Sequence, residues 1–311
     1  MSVDVKEVSI DKKSSDLSLG LFYGITAYVA WGLLPVYWKL LDEAPPIEIL
    51  AHRMLWSFIL NISIVVYTKK WDEFIDAVKD WKKFRPIIAS ALIITANWFT
   101  YIWAVNSNHI IEASLGYYIN PLIVVLLGMI VFKERSDKSQ YIALILATCG
   151  VIVVTAEYGR IPYVALTLAI TFALYGLFKK ISGVESSVSL AVETALIAPI
   201  ALGYIFYRQI NGIGIVGKVS PITTILLFCA GFATALPLLW FSKAAKRLDL
   251  STLGFLQFIS PTISLLLGVL IYGERFTKTH LISFSLIWIG LLIYSISLAS
   301  STKKSKKQSL A

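Results

Sequence analysis

The sequence predicts an all-α integral membrane protein with ten transmembrane helices, arranged as two inverted-topology repeats of five helices. Three observations support this prediction. The chain of 311 residues is 57% hydrophobic and only 15% charged, with a mean hydropathy of +0.74. Its apolar residues fall into blocks of about 20 residues, the length of a membrane-spanning helix. The stretch 117–135 recurs as 257–275, with eight identities in 19 positions.

The apolar blocks predict helices because each is continuously apolar, whereas the strands of a membrane barrel alternate between apolar and polar residues. The ten predicted spans are 19–41, 47–67, 86–106, 110–132, 139–156, 161–179, 187–207, 220–242, 249–272 and 279–299. Together these spans leave little of the chain for a soluble domain.

The repeat relates the two halves of the chain. Residues 19–156 and 161–299 each contain five spans, and since five is odd, the second half enters the membrane from the opposite side. Spans 4 and 9 each contain a proline, Pro121 or Pro261, which we expect to kink the helix at mid-span because proline removes a backbone hydrogen bond. Inverted repeats are typical of secondary transporters, whose substrate site lies near the midplane between the repeats.

The basic residues predict the orientation of the chain. If the tails 1–18 and 300–311 are cytoplasmic, the cytoplasmic segments carry 21 of the 28 Lys and Arg, and the outer loops carry 6. Cytoplasmic loops of membrane proteins are enriched in Lys and Arg, so both termini are expected inside. The same distribution explains the net charge of +9 without a nucleic-acid partner. Both tails are polar and are expected to be disordered.

An enzyme finds little support in the sequence. There is no GxxxxGK[ST] phosphate loop, no serine nucleophile motif and no metal-ligand spacing of Cys and His. We therefore predict no catalytic residues, no metal and no cofactor. The expected partners are the lipid bilayer and a small-molecule substrate.

Polar side chains inside spans are candidates for a substrate site because they are costly in lipid. In span 4, Tyr117 and Asn120 share a face beside the proline, and their repeat equivalents in span 9 are Gln257 and Ser260. These side chains either contact a substrate or satisfy carbonyl groups that the prolines leave free.

Spans 1 and 3 supply further candidates. Asn97 lies near mid-depth, with Tyr101 one turn away, and its amide either clamps two helices or faces a cavity. Tyr28 and Trp31 lie deep in span 1 and are expected to face the cavity.

Three ionisable side chains inside spans are possible coupling or structural charges: His52, Arg53 and Glu193. A shift of 140 residues relates Arg53 to Glu193, but the inversion places them at opposite depths, so they are not expected to pair directly. The spacing of Glu48 and His52 favours a local pair.

Residues at span ends are expected to meet the membrane surface. They comprise Tyr37 and Trp38 in an interfacial aromatic belt, Glu112 in solvent, and Lys39, Lys179 and Lys243 with snorkelling side chains. The Glu-Arg pairs 134–135 and 274–275 close spans 4 and 9 and are expected to anchor those helix ends.

The connection 68–85 has apolar residues at helical spacing, among them Trp71, Phe74 and Val78. This pattern predicts an amphipathic helix lying on the membrane surface.

Several motifs resemble the RarD-type branch of the EamA, drug/metabolite transporter superfamily. They are AYVAWGLLPVYWKLL (27–41), PPIEILAHRMLWS (45–57), SLGYYINPL (114–122) and GER (273–275). The resemblance implies ten helices in two inverted repeats, a central cavity lined mainly by spans 1, 3, 4, 6, 8 and 9, and a prokaryotic plasma membrane. It also implies a transporter, since several relatives in the superfamily export amino acids or other metabolites.

The leading hypothesis is therefore a secondary transporter that exports a small metabolite. The alternatives are a non-transporting membrane sensor or partner-binding subunit, and a membrane-embedded enzyme. Spans 2 and 7 lie outside the cavity-lining set, so Arg53 and Glu193 are expected to maintain the shape of the repeats.

Overall fold

The structure is a computed structural model that describes residues 3–131, 133, 138–245, 247–248, 252–253 and 256–308. Its helices are α1 (Val3–Lys39), α2 (Pro46–Tyr67), α3 (Trp71–Lys79), α4 (Trp81–Asn106), α5 (Ile110–Val131), α6 (Lys138–Tyr158), α7 (Tyr163–Ser182), α8 (Ser186–Ile210), α9 (Pro221–Ala245), α10 (Ile259–Leu266) and α11 (Lys278–Gln308). A π-helical segment, Leu267–Ile271, continues α10.

Within these residues, nine helices are long and apolar enough to cross a membrane, namely α1, α2, α4 to α9 and α11. The tenth hydrophobic segment is shorter, Ile259–Ile271. The predicted fold class, an all-α membrane protein of ten hydrophobic segments in two inverted halves, is confirmed. We call the side where α1 begins and α11 ends the tail face, and the other side the opposite face.

The prediction of one long ninth span was wrong for the part of 249–272 that the structure describes. Residues 252–253 and 256 are helical, residues 257–258 form a turn that interrupts the span, and α10 begins at Ile259. Pro261 therefore lies in the first turn of α10, where its missing N–H has no intrahelical acceptor to lose. Pro121 lies inside α5 as expected, so the two repeat-equivalent prolines have different structural roles.

The tails are helical where the sequence predicted disorder. Helix α1 already begins at Val3, and α11 continues to Gln308. Neither tail contains glycine or proline, the two residues with the lowest helix propensity, so each span continues as a helix beyond its apolar part.

Two glycines show the symmetry of the repeats at atomic scale. Gly150 in α6 and Gly290 in α11 are 140 residues apart. A Cβ atom at Gly150 would lie 3.0 Å from the backbone oxygen of Ser283, and one at Gly290 would lie 3.0 Å from the backbone oxygen of Ala143. Ser283 and Ala143 are themselves repeat equivalents, so the same close contact occurs twice where α6 crosses α11.

The other helix pairs also show the symmetry of the repeats. Helix α2 packs against α8, its equivalent in the second repeat. Helix α7 packs against α4 and α5, while its equivalent α1 packs against α9 and α10. Each repeat thus places its first helix among the helices of the other repeat, and the centre of the molecule lies between them.

The predicted amphipathic helix in 68–85 is confirmed as α3. Its Ala77 is buried, and Phe74 packs on the small cluster formed by Ala77 with Ile87, Val188 and Val192. Trp71 and Val78 remain 47% and 39% exposed, which leaves apolar surface on the tail face.

Candidate functional site

The strongest candidate site is built around Arg53 in α2. This side chain is only 4% exposed, and in the part of the chain that the structure describes its Nε and Nη1 atoms have no hydrogen-bond partner. Its guanidinium carbon lies 4.0 Å from the centre of the Trp98 ring and 5.1 Å from that of Trp38. Buried charges are normally paired, so an arginine whose recorded contacts among the described residues are with aromatic rings is unusual.

The chain brings these residues together from three helices. Helix α2 begins at Pro46, directly after Pro45, and carries Arg53 about two turns (about 10 Å) into the molecule. Trp38 lies in the last turn of α1 and is fully buried. The prediction that Trp38 joins an interfacial belt was therefore wrong, because the buried guanidinium of Arg53 lies over its ring.

Three tyrosines complete the surroundings of Arg53. Tyr37, Tyr101 and Tyr117 all lie within electrostatic range of its charge. Tyr37 also donates a hydrogen bond to the backbone oxygen of Leu226 in α9, so it too is not a belt residue. We name Arg53, Trp38, Trp98, Tyr37, Tyr101 and Tyr117 the Arg53 cluster.

The Arg53 cluster lies at the boundary between the repeats. The rings of Tyr101 and Tyr117 meet edge to face at 5.6 Å. Tyr101 interacts with Ser264 of α10, and Tyr117 lies 6.1 Å from Phe172 of α7. The cluster therefore belongs to the first repeat but faces two helices of the second repeat.

Two of the predicted site residues, Tyr101 and Tyr117, are thus placed beside Arg53. Two others join helices. Asn97 is fully buried and donates to the Leu168 backbone oxygen at 3.1 Å and to Thr171 Oγ1 at 2.8 Å. Asn120 donates to the Ala169 backbone oxygen at 3.0 Å. Both amides bind α7, and of the two uses foreseen for Asn97 the structure shows the clamp.

The remaining predicted site residues lie elsewhere. Tyr28 and Trp31 meet edge to face at 5.3 Å, and both rings contact Phe241 of α9. Gln257 and Ser260 are half-buried at the start of α10. Within the residues described, no ring pair joins Tyr28 or Trp31 to the Arg53 cluster, and the role of all four residues in binding a substrate stays a prediction.

Glu193 is the repeat equivalent of Arg53 and is fully buried near the tail face. Its carboxylate pairs with Lys179 at 3.0 Å and accepts hydrogen bonds from Ser90, Ser189 and Tyr175. The expectation that Lys179 snorkels was wrong, because its side chain is only 17% exposed and turns inward to this carboxylate. As expected from the inversion, Arg53 and Glu193 do not pair.

The predicted Glu48–His52 pair is also absent among the contacts described. Glu48 instead pairs with Arg208 of α8 at 2.9 Å and accepts from the backbone N–H of Ile215. His52 is buried, with Nδ1 at 3.4 Å from Trp56 Nε1 and its ring against Phe228. A long-range cation thus replaces the local partner that sequence spacing favoured.

Carboxylates also hold helix starts at the opposite face. Glu274 accepts from the backbone N–H groups of Ile110 and Ile111 at 2.7 and 2.8 Å, which confirms it as an anchor. Glu112, expected in solvent, is 6% exposed and accepts from Val164 N at 3.0 Å. The first N–H groups of a helix lack intrahelical acceptors and attract anions. The equivalent pair 134–135 lies outside the described residues.

A cleft of about 370 Å³ opens at this same face. Its lining includes Asn108, Glu112, Tyr272 and Glu274, and contains none of the eight predicted substrate residues. The cleft borders the anchored helix starts and therefore lies at the opposite face, not at the midplane where the repeat predicted a substrate site. Across the described part of the chain, no group of three metal-ligating side chains occurs.

Known proteins match this chain over most of its length. The family model described as the EamA-like transporter family matches twice, over residues 18–156 and 161–296. The Bacillus subtilis protein named uncharacterized transporter YojE is 44% identical over 290 residues, which cover 92% of this chain and 97% of that protein. Protein RarD of Escherichia coli is 39% identical over 288 residues, covering 93% and 97%.

More distant proteins match as well. A Pseudomonas aeruginosa protein named chloramphenicol-sensitive protein RarD is 26% identical and covers 88% of this chain and 92% of its own. A chain whose title reads only "Crystal structure of protein" is 18% identical and superposes with a TM-score of 0.57, covering 91% of this chain and 97% of its own. That structure supports the fold alone.

Proposed function

Since this chain belongs to the EamA-like transporter family, in its RarD-type branch, we propose that it is a secondary transporter that exports small metabolites, amino acids or drug-like amphipathic solutes by alternating access. The chain is a multi-pass membrane protein of a transporter family. Our proposal adds the class of solute, the direction and the mechanism.

The observation that supports this proposal most strongly is the Arg53 cluster. It combines a buried cation with aromatic faces, and it lies where α2, α4 and α5 of the first repeat approach α7 and α10 of the second. Binding sites of transporters with inverted repeats lie at such a boundary. An aromatic wall suits an amphipathic solute, because a ring contributes apolar contact area and tolerates a polar group at its edge.

The exchanged first helices support alternating access. Helices α1 and α7 each pack among helices of the other repeat, so a rocking motion of one repeat would change both sets of contacts together. Glu112 and Glu274 hold the starts of α7 and α5 at the opposite face, and Glu48 accepts from the backbone N–H of Ile215 in the α8–α9 connection at the same face. We propose that this face is the outer side, that both termini are cytoplasmic, and that the protein resides in a prokaryotic plasma membrane.

Reconstitution tests the transport proposal. The full chain, purified and inserted into proteoliposomes, is loaded with a panel of radiolabelled amino acids and aromatic metabolites, with and without a proton gradient. We expect saturable efflux of at least one solute above that of protein-free vesicles. Absence of flux for the whole panel, with the protein shown to be folded and inserted, would contradict the proposal.

Orientation has its own test. Single cysteines introduced at Ser2 and Ser309 should react in intact cells only with membrane-permeant maleimides, as expected for cytoplasmic termini. A cysteine at exposed Lys218 in the α8–α9 connection should react with impermeant reagents too. The opposite pattern would invert the assigned sides and the direction of transport.

A further inference from the structure

We propose that Arg53 is the anion-binding residue of this site, and that the transported substrates carry a carboxylate next to an apolar or aromatic body. This inference rests on the transport function proposed above and names its substrate class. It starts from the guanidinium in α2, whose Nε and Nη1 have no hydrogen-bond partner among the described residues although the side chain is only 4% exposed.

An unpaired buried guanidinium calls for a partner. Removing a charge from water is costly unless it is paired and hydrogen-bonded, and buried polar groups in native proteins nearly always have partners. The ionisable groups acting on Arg53 in the structure are the phenols of Tyr37, Tyr101 and Tyr117, which carry no negative charge at neutral pH. No carboxylate of the described chain is among them.

Two other buried charges, Glu193 and Glu48, have partners within the chain. Glu193 has Lys179 and three hydroxyl donors, and Glu48 has Arg208 and a backbone N–H. Both carboxylates thus have a cation and at least one hydrogen-bond donor within the chain. The same fold leaves Arg53 without such a partner, which distinguishes it from the charges that hold helices together.

The geometry selects a planar anion with an apolar body. A guanidinium stacked on a ring keeps its in-plane N–H groups available, and their fork matches the two oxygens of a carboxylate. The guanidinium carbon of Arg53 lies 4.0 Å from the centre of the Trp98 ring. The phenols of Tyr101 and Tyr117 lie within electrostatic range of Arg53, and a phenol can donate a further hydrogen bond to an anion. The surrounding rings would contact the apolar part of the ligand.

A matched set of probes tests this proposal by binding, independently of transport. The full chain in nanodiscs is titrated with acetate, benzoate, phenylacetate and indole-3-acetate, and the tryptophan fluorescence and melting temperature are recorded. Phenylacetamide is the neutral counterpart of phenylacetate, and phenyl phosphate tests a tetrahedral anion. We expect phenylacetate to bind at least about tenfold more tightly than phenylacetamide, because the amide cannot form the charge-assisted pair.

Variants of one residue identify the responsible cation. Arg53→Met should remove the preference for the carboxylate, and Arg53→Lys should keep part of it without the bidentate geometry. Lys180→Gln, at an exposed position on the tail face, is the matched control and should bind like the natural protein. Equal binding of phenylacetate and phenylacetamide, no Arg53-dependent binding of any carboxylate, or a preference for phenyl phosphate would overturn the proposal.

Flux measurements separate this inference from the proposed function. If proteoliposomes export a neutral or cationic solute while carboxylates are neither bound nor transported, the transport function is supported and the anion site is refuted. Arg53-dependent carboxylate binding with no flux for any solute keeps the anion site and contradicts transport. Arg53-dependent export of a carboxylate supports both.

Discussion

Arg53 and Glu193 occupy equivalent positions in the two repeats, yet their surroundings differ in kind. Both are buried charges in the second helix of a repeat. Glu193 has a cation and three hydroxyl donors around it, whereas Arg53 has aromatic rings and two N–H groups without partners. In the second repeat this position takes part in an internal ion pair, whereas in the first repeat the charge has no such partner among the described residues.

The difference shows that equivalent backbone positions in the two repeats can have different roles. The glycine contacts between α6 and α11 are repeated almost atom for atom, because packing of the frame constrains both copies. Side chains facing the centre have no such constraint and diverge. A charge that the protein itself satisfies contributes to stability, and one that it leaves unsatisfied is available to a ligand.

The largest effect on stability is expected at Glu193, the buried charge that has an internal partner. Glu193→Leu leaves Lys179 buried and unpaired, so we expect a loss of about 3–5 kcal/mol of unfolding free energy. The measurement is denaturant unfolding in detergent micelles, or the fall in melting temperature. The double variant Lys179→Met, Glu193→Leu should recover most of the loss, because it removes both charges. Full stability of the single variant would show that the ion pair is not structural.

A second satisfied charge gives a smaller effect. Glu48→Gln keeps the size of the side chain but weakens its contacts with Arg208 and Ile215 N, and hydrogen bonds to charged groups contribute about 1.5–3 kcal/mol. We expect a loss in that range by the same unfolding measurement. Glu43→Gln, at an exposed position nearby, should change nothing. Equal effects of the two substitutions would contradict the role of Glu48.

A neutral clamp should cost less again. Asn97→Ala removes two hydrogen bonds to α7 and should lower stability by about 1–2 kcal/mol, at roughly 1 kcal/mol for each bond. Asn120→Ala, which removes one bond to the same helix, should cost about half as much. If Asn97 acted mainly on the substrate, its replacement would raise KM and leave the melting temperature unchanged.

The smallest stability effect is expected at Arg53. Arg53→Met loses cation–π contacts, each worth about 0.5–2 kcal/mol, but also removes buried N–H groups that lack partners, at a cost of about 1–3 kcal/mol. The two terms oppose each other, so the unfolding free energy should change by less than about 1 kcal/mol. A loss as large as that of Glu193→Leu would mean that both positions are structural and would end the comparison.

Local pattern was enough to predict the helices, the repeat and the amphipathic α3, because hydrophobicity and periodicity are properties of neighbouring residues. The partners of charges could not be predicted in this way. Glu48 was assigned to His52 by spacing, but it pairs with Arg208, 160 residues away. Similarly, Trp38 looked interfacial because hydropathy reports distance from water and not which neighbour faces a ring.

The candidate site was predicted in part. Tyr101 and Tyr117 were named from the sequence and lie beside Arg53, whereas Trp98 was missed because an apolar ring in an apolar span carries no signal of its own. The available signal was Arg53, the one arginine inside a span. The turn at 257–258 was missed too, since hydropathy is averaged over a whole segment and does not mark a turn inside it.

The paired glycine contact between α6 and α11 has a consequence for how the two halves of the chain could be handled separately. Helices α6 and α7 are joined by only four residues, 159–162, whereas α6 with α11, α2 with α8 and the exchanged helices α1 and α7 join the halves without any covalent bond. The peptide connection therefore keeps the two halves near each other, while the noncovalent helix contacts determine how they pack. Two fragments cut there and co-expressed carry every contact surface needed to reassemble, which makes this chain a natural substrate for split-protein reconstitution.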